Sequence, residues 1–120
     1  MAGVYTTECP PGGGDAESWI RRGMACTRRR KPADAIESFD RALEYDAGSV
    51  EALLGQGNAL YALERYDEAL AVYDRAVQAA PDRPAPHMAR SNALSELGRK
   101  EEAAAAFARA MELRHRRERE

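Results

Sequence analysis

The chain repeats itself every 34 residues, and that period limits its possible folds more than any other feature. Shifting the stretch Val50 to Pro81 by 34 positions either way brings like onto like. Gly57 falls on Gly23 and Ser91, Ala69 on Ala35 and Ala103, Tyr73 on Phe39 and Phe107, and Ala76 on Ala42 and Ala110. Three units, 16–49, 50–83 and 84–117, tile the sequence without an insertion. A fixed period of this length is the mark of a solenoid, in which no unit hides its apolar face alone and each is covered by its neighbours.

Each unit carries two apolar stripes at helical spacing. In the middle unit Leu53, Gly57, Leu60 and Leu63 share one side of a first helix, and Ala69, Tyr73, Ala76 and Val77 one side of a second. Glu64-Arg65-Tyr66 separates them, and Pro81 closes the unit because proline cannot continue a helix. The pattern predicts six helices, over about 16–28, 32–45, 50–63, 67–79, 84–97 and 100–113, the last extending into the charged end. Asp15 and Ser49 stand where N-caps belong, Pro32 and Pro84 at favourable first positions, and Gly98 at a stop.

These spacings resemble the tetratricopeptide repeat. Trp19, Gly23, Ala35, Phe39 and Ala42 match its motif in the first unit; Gly57, Ala69, Tyr73, Ala76 and Pro81 in the second; Ala103, Phe107 and Ala110 in the third. The resemblance covers 16–117 and implies an all-α fold, a right-handed α-α superhelix of three antiparallel helix pairs. The matching residues are read as packing residues forming the structural core. Gly23 and Gly57, unfavourable in a helix interior by roughly 1 kcal/mol, point to a close helix crossing with Ala35, Ala69 and Ala103 facing it. Departures are also visible. The motif's Leu before Gly is Arg22, Gln56 and Arg90, a seam where stems pack and heads are expected to reach water. The motif's Trp becomes Leu53 and His87, and the third unit matches least, as befits a terminal repeat.

Residues 1–15 break the pattern. Cys9-Pro10-Pro11-Gly12-Gly13-Gly14 reads as a flexible leader, and 118–120 as a charged tail. With two cysteines no disulfide framework is expected, and Cys26 reads as a small buried hydrophobe. The 18 basic and 20 acidic residues leave a formal net charge of −2, which argues against nucleic acid or a membrane surface as the main partner. The basic run Arg28-Arg29-Arg30-Lys31 reads as a solvated turn. No secretory signal is visible, so the expected location is cytoplasmic.

Nothing suggests an enzyme, a cofactor or a metal. In the one trio resembling a hydrolase site, Asp82, His87 and Ser91, the last two lie on packing registers. The resemblance instead implies a protein-interaction scaffold whose first helices line a concave groove for a peptide or protein partner. The groove positions are Ile20, Met24 and Arg28, then Leu54, Asn58 and Tyr61, then Met88 and Asn92. Family members that grip chaperone tails use a clamp of Lys, Asn and Arg. Here Ile20, Met24, Gly55, Ala85 and Ala89 stand at those positions, so no such clamp is expected. The alternative is self-assembly, a homodimer or docking to a subunit, through an uncapped C-terminal helix face at which Leu94, Leu97, Phe107 and Met111 are expected to lie open.

Overall fold

The structure is a computed structural model that describes residues 9–119. All regular elements in it are helices: α1 (Ala16–Arg28), α2 (Pro32–Tyr45), α3 (Val50–Ala62), α4 (Tyr66–Ala79), α5 (Pro84–Glu96) and α6 (Lys100–Arg119). First helices start at 16, 50 and 84 and second helices at 32, 66 and 100, so both keep the 34-residue step. The helices stack as antiparallel pairs into an α-α superhelix measuring 54 × 32 × 26 Å.

Local chemistry sets the helix ends. The Asp15 carboxylate accepts from the Ser18 N–H at 2.8 Å, and this hydrogen bond holds its pKa below the ordinary value. The Ser49 hydroxyl accepts from the Ala52 N–H at 3.2 Å. Pro32 and Pro84 open α2 and α5, where a missing N–H costs nothing. Every first helix stops the same way. Arg30, Glu64 and Gly98 take left-handed backbone, with φ of 59°, 60° and 78°. The following N–H then reaches back to a helix carbonyl at 2.9 Å in all three: Lys31 to Cys26, Arg65 to Leu60, and Arg99 to Leu94. Only the third turn has the glycine that this backbone favours.

The core runs along the stack. Ala35, Ala42, Ala69 and Ala76 are fully buried, and Ala103 and Ala110 are buried too. Phe39 and Tyr73 sit in the layers between units. A Cβ on Gly23 or Gly55 would collide with the Phe39 ring, and one on Gly57 with the Tyr73 ring. The glycines therefore make room for aromatic rings. Phe107 also departs from its expected core role, being 48% exposed against 1% for Phe39 and 2% for Tyr73. Trp19 is half-buried, with the Arg22 and Arg41 guanidinium groups 5.7 and 5.9 Å from its ring centre.

The polar seam is bonded, where the sequence suggested heads in water. Gln56 Nε2 donates to Asp40 at 2.5 Å, and Arg90 Nε to Asp74 at 2.5 Å. These are one interaction at two successive registers, each tying a first helix to the second helix of the preceding unit. Gln56 is only 6% exposed, so its amide needs that partner. Arg22, the first in the series, donates instead to the Pro10 carbonyl at 2.8 Å and to the Ser38 hydroxyl.

That contact belongs to a strap the sequence did not reveal. Cys9 and Cys26 are joined by a disulfide, with Cα atoms 5.2 Å apart. Gly12 lies against the Trp19 ring, closely enough that a Cβ there would meet it. From Cys9 onward the expected loose leader is thus pinned across α1, at the position a preceding unit would occupy. The rest of that leader, residues 1–8, lies outside the described residues. At the other end, the charged tail expected at 118–120 is helical as far as Arg119.

Candidate functional site

The expected groove is present in part. Between α1 and α3 lies a depression of about 310 Å³ lined by Met24, Thr27, Phe39, Glu51, Leu54, Gly55 and Asn58. Its walls follow from the repeat. Gly55 has no side chain, so the edge of Phe39 reaches the floor, while Met24 and Leu54 face each other from adjacent first helices. A second hollow of similar size, about 310 Å³, continues from Thr27 and Asn58 toward Pro32 and Ala62. Together they make an apolar trough with few polar groups, a shape suited to the side chains of an extended segment.

The polar groups at its rim are partly committed. Asn58 Oδ1 accepts from the Tyr73 hydroxyl at 2.5 Å, which leaves the Asn58 amide hydrogens to reach a ligand. Burial pushes the Tyr73 phenol well above its ordinary pKa, so it remains a donor at any physiological pH. Glu51 is tied to Arg83 at 3.6 Å. Thr27 spends its hydroxyl on the Gly23 carbonyl at 2.9 Å.

Other groove positions lie elsewhere. Ile20 is half-buried and packs against the core beside Phe39. Tyr61 packs edge-on against Tyr66 at 5.0 Å, and its hydroxyl donates to Glu96 at 3.2 Å. Burial and that carboxylate raise its pKa. Arg28 borders the strap side of α1, facing Pro10, Pro11, Gly12 and Gly13 across a hollow of about 450 Å³. Asn92 is exposed on α5. Met88 lines a separate hollow of about 470 Å³ at the far end, with Pro84, Ala85, Met111, Arg114, Arg117 and Glu118. Of the eight positions, then, Met24, Leu54 and Asn58 come together at one depression. Phe39 and Gly55 complete it; the sequence placed Phe39 in the core and Gly55 at a clamp position.

Two members of the hydrolase-like trio, Ser91 and His87, are engaged in structural contacts. Ser91 Oγ donates to the Ala103 carbonyl at 2.8 Å, and His87 Nε2 lies 2.9 Å from the Pro81 carbonyl. Among the described residues no group of three His, Cys, Asp or Glu side chains is placed to hold a metal ion.

Two family profiles, both described as tetratricopeptide repeat, match residues 15–84 and 60–119. The chain belongs to the tetratricopeptide repeat family. No curated protein matches its sequence. Among solved structures, MamA superposes with a TM-score of 0.85 at 20% identity, covering 88% of this chain and 62% of MamA. The chain thus spans less than two thirds of that neighbour. The second repeat domain of Spaghetti (RPAP3), solved with the HSP90 peptide SRMEEVD, gives a TM-score of 0.80 at 23% identity and covers 82% of this chain and 92% of its own. The CopN-Scc3 complex gives 0.77 at 20% identity, with 82% and 58% covered. At these identities the likeness shows the shared fold. Two of these neighbours were solved with a peptide or a protein partner.

Proposed function

We propose that the chain binds an extended segment of a protein partner in the trough between α1 and α3. The observation that carries this reading is the apolar depression formed by Met24, Leu54, Gly55 and the edge of Phe39, with the Asn58 amide at its rim. Met adapts to varied side chains, and an amide donor suits a peptide carbonyl. The RPAP3 domain was solved with the peptide SRMEEVD, in which three of the last four residues are acidic. Here the positions matching a chaperone-tail clamp are Ile20, Met24, Gly55, Ala85 and Ala89, which offer no cation. The proposed ligand is therefore an apolar segment, not a chaperone tail. No nucleic acid, membrane surface, cofactor or catalytic step enters this reading.

Selection of peptides from a random library on the intact chain tests it. Leu54→Arg should weaken the selected peptides at least about tenfold, since a charge would enter an apolar contact. Equal binding by the variant would overturn the assignment. The cytoplasmic location expected from the sequence is open to a direct test. Among the described residues no helix is long and apolar enough to cross a membrane. The Cys9–Cys26 disulfide counts against the cytoplasm, where thiols are kept reduced. Alkylation of the native protein before lysis decides the point: two modified cysteines support the cytoplasm, and none opposes it.

A further inference from the structure

We infer that α6 carries a self-complementary seam that pairs two copies of this chain, antiparallel, about a two-fold axis near Phe107 and Ala108. The inference concerns a different surface from the α1–α3 trough and does not depend on it.

In each unit the second helix turns one stripe toward the next unit. On α2 it holds Ile36, Phe39, Asp40 and Leu43; on α4, at the same register, Leu70, Tyr73, Asp74 and Val77. On α6 the stripe is Ala104, Phe107, Ala108 and Met111. It lies between two occupied faces. Ala103, Ala106, Ala110 and Leu113 are buried on one side, and on the other Arg109 and Arg116 pair with Glu112 at 2.8 and 3.3 Å. The stripe itself is open, with Ala104, Phe107 and Ala108 exposed, whereas Leu94, expected at this open end, is fully buried in the core. It also lacks the acceptor by which Asp40 and Asp74 receive a following first helix, since Ala108 stands at that register.

Three observations select a second copy as the occupant. The first is shape. Phe107 stands between Ala104 and Ala108, a knob flanked by two small residues, so two-fold pairing lays each ring over the alanines of the other copy. The second is charge. The helix begins Lys100-Glu101-Glu102 and ends with Arg114, Arg116, Arg117 and Arg119. Antiparallel pairing about 107–108 sets Met111 against Ala104 and Arg114, whose present partner is the exposed Glu118 at 3.8 Å, against Glu101, a residue with no ion pair among the described residues. Parallel pairing would set like ends together. The third excludes head-to-tail stacking. The positions that α3 and α5 turn toward the aromatic are Gly55 and Ala89, whereas α1 has Arg21 there, and the strap from Cys9 to Gly13 lies across that end.

Sedimentation of the intact chain over a concentration series tests the proposal. A reversible dimer is expected, and Phe107→Glu should weaken it by more than about tenfold. Glu101→Arg and Arg114→Glu should each weaken it, and the two together should restore it. Circular dichroism confirms that each variant is folded. A folded wild-type monomer at about 0.5 mM overturns the proposal and leaves the stripe to another protein. A dimer indifferent to Phe107→Glu overturns it, as does a double charge exchange that fails to restore pairing.

Discussion

Deleting the same side chain at two equivalent registers should give very different losses of stability. Phe39 and Phe107 stand two units apart on the repeat, yet one is 1% exposed and the other 48%. Phe39→Ala removes a ring wedged against the backbones at Gly23 and Gly55 and leaves unfilled space between two units beneath the trough. Such truncations cost about 4 kcal/mol. At Phe107 only about half of the burial term applies, and no closed cavity forms, so the loss is about 1 kcal/mol. Alanine's better helix propensity returns about 0.5 kcal/mol in both. Net losses are then about 3.5 and 0.5 kcal/mol. With a urea m-value of about 2 kcal/mol/M for this size, the midpoint falls by about 1.7 M for Phe39→Ala and about 0.3 M for Phe107→Ala. Helix signal at 222 nm, read at low micromolar protein so that association plays no part, is the assay. Equal midpoint shifts would refute the argument that the neighbouring unit, not the residue type, decides the energy at this register.

Two further outcomes follow from the turns and the strap. Glu64→Gly should raise stability by about 1 kcal/mol, because the left-handed backbone at Glu64 strains any residue with a Cβ while glycine adopts it freely; an unchanged or lower melting temperature contradicts this. Cys9→Ser, or added reductant, should destabilise the oxidised protein by about 2–3 kcal/mol, since the bond closes a loop of 17 residues. That corresponds to roughly 10 °C in melting temperature, and coincident melts with and without reductant would show that the strap does not hold the fold.

Much of the architecture was legible beforehand because it is local. The 34-residue period, the 3.6-residue apolar stripes and the proline and capping signals operate within a few residues of one another. The expected starts at 16, 32, 50, 84 and 100 accordingly coincide with the observed ones, and α4 begins at Tyr66, one residue before the expected start. The candidate site was legible only in part. Met24, Leu54 and Asn58 converge as the repeat implied, but Phe39 reaches that trough only because Gly55 lets its ring through. No periodicity marks a residue as both core and floor.

By itself the sequence determined the number of helices, their pairing and the faces they bury, since those depend on spacing along one chain. Tertiary structure alone decided what happens at the ends and between units. Asp40 and Asp74 find Gln56 and Arg90 only once the helices stack. Cys9 meets Cys26 only because the strap folds back across α1. Phe107 differs from Phe39 for the complementary reason: the residue and its register are the same, but no following helix covers it among the described residues. Burial is a property of neighbours, which the spelling of one repeat unit does not fix.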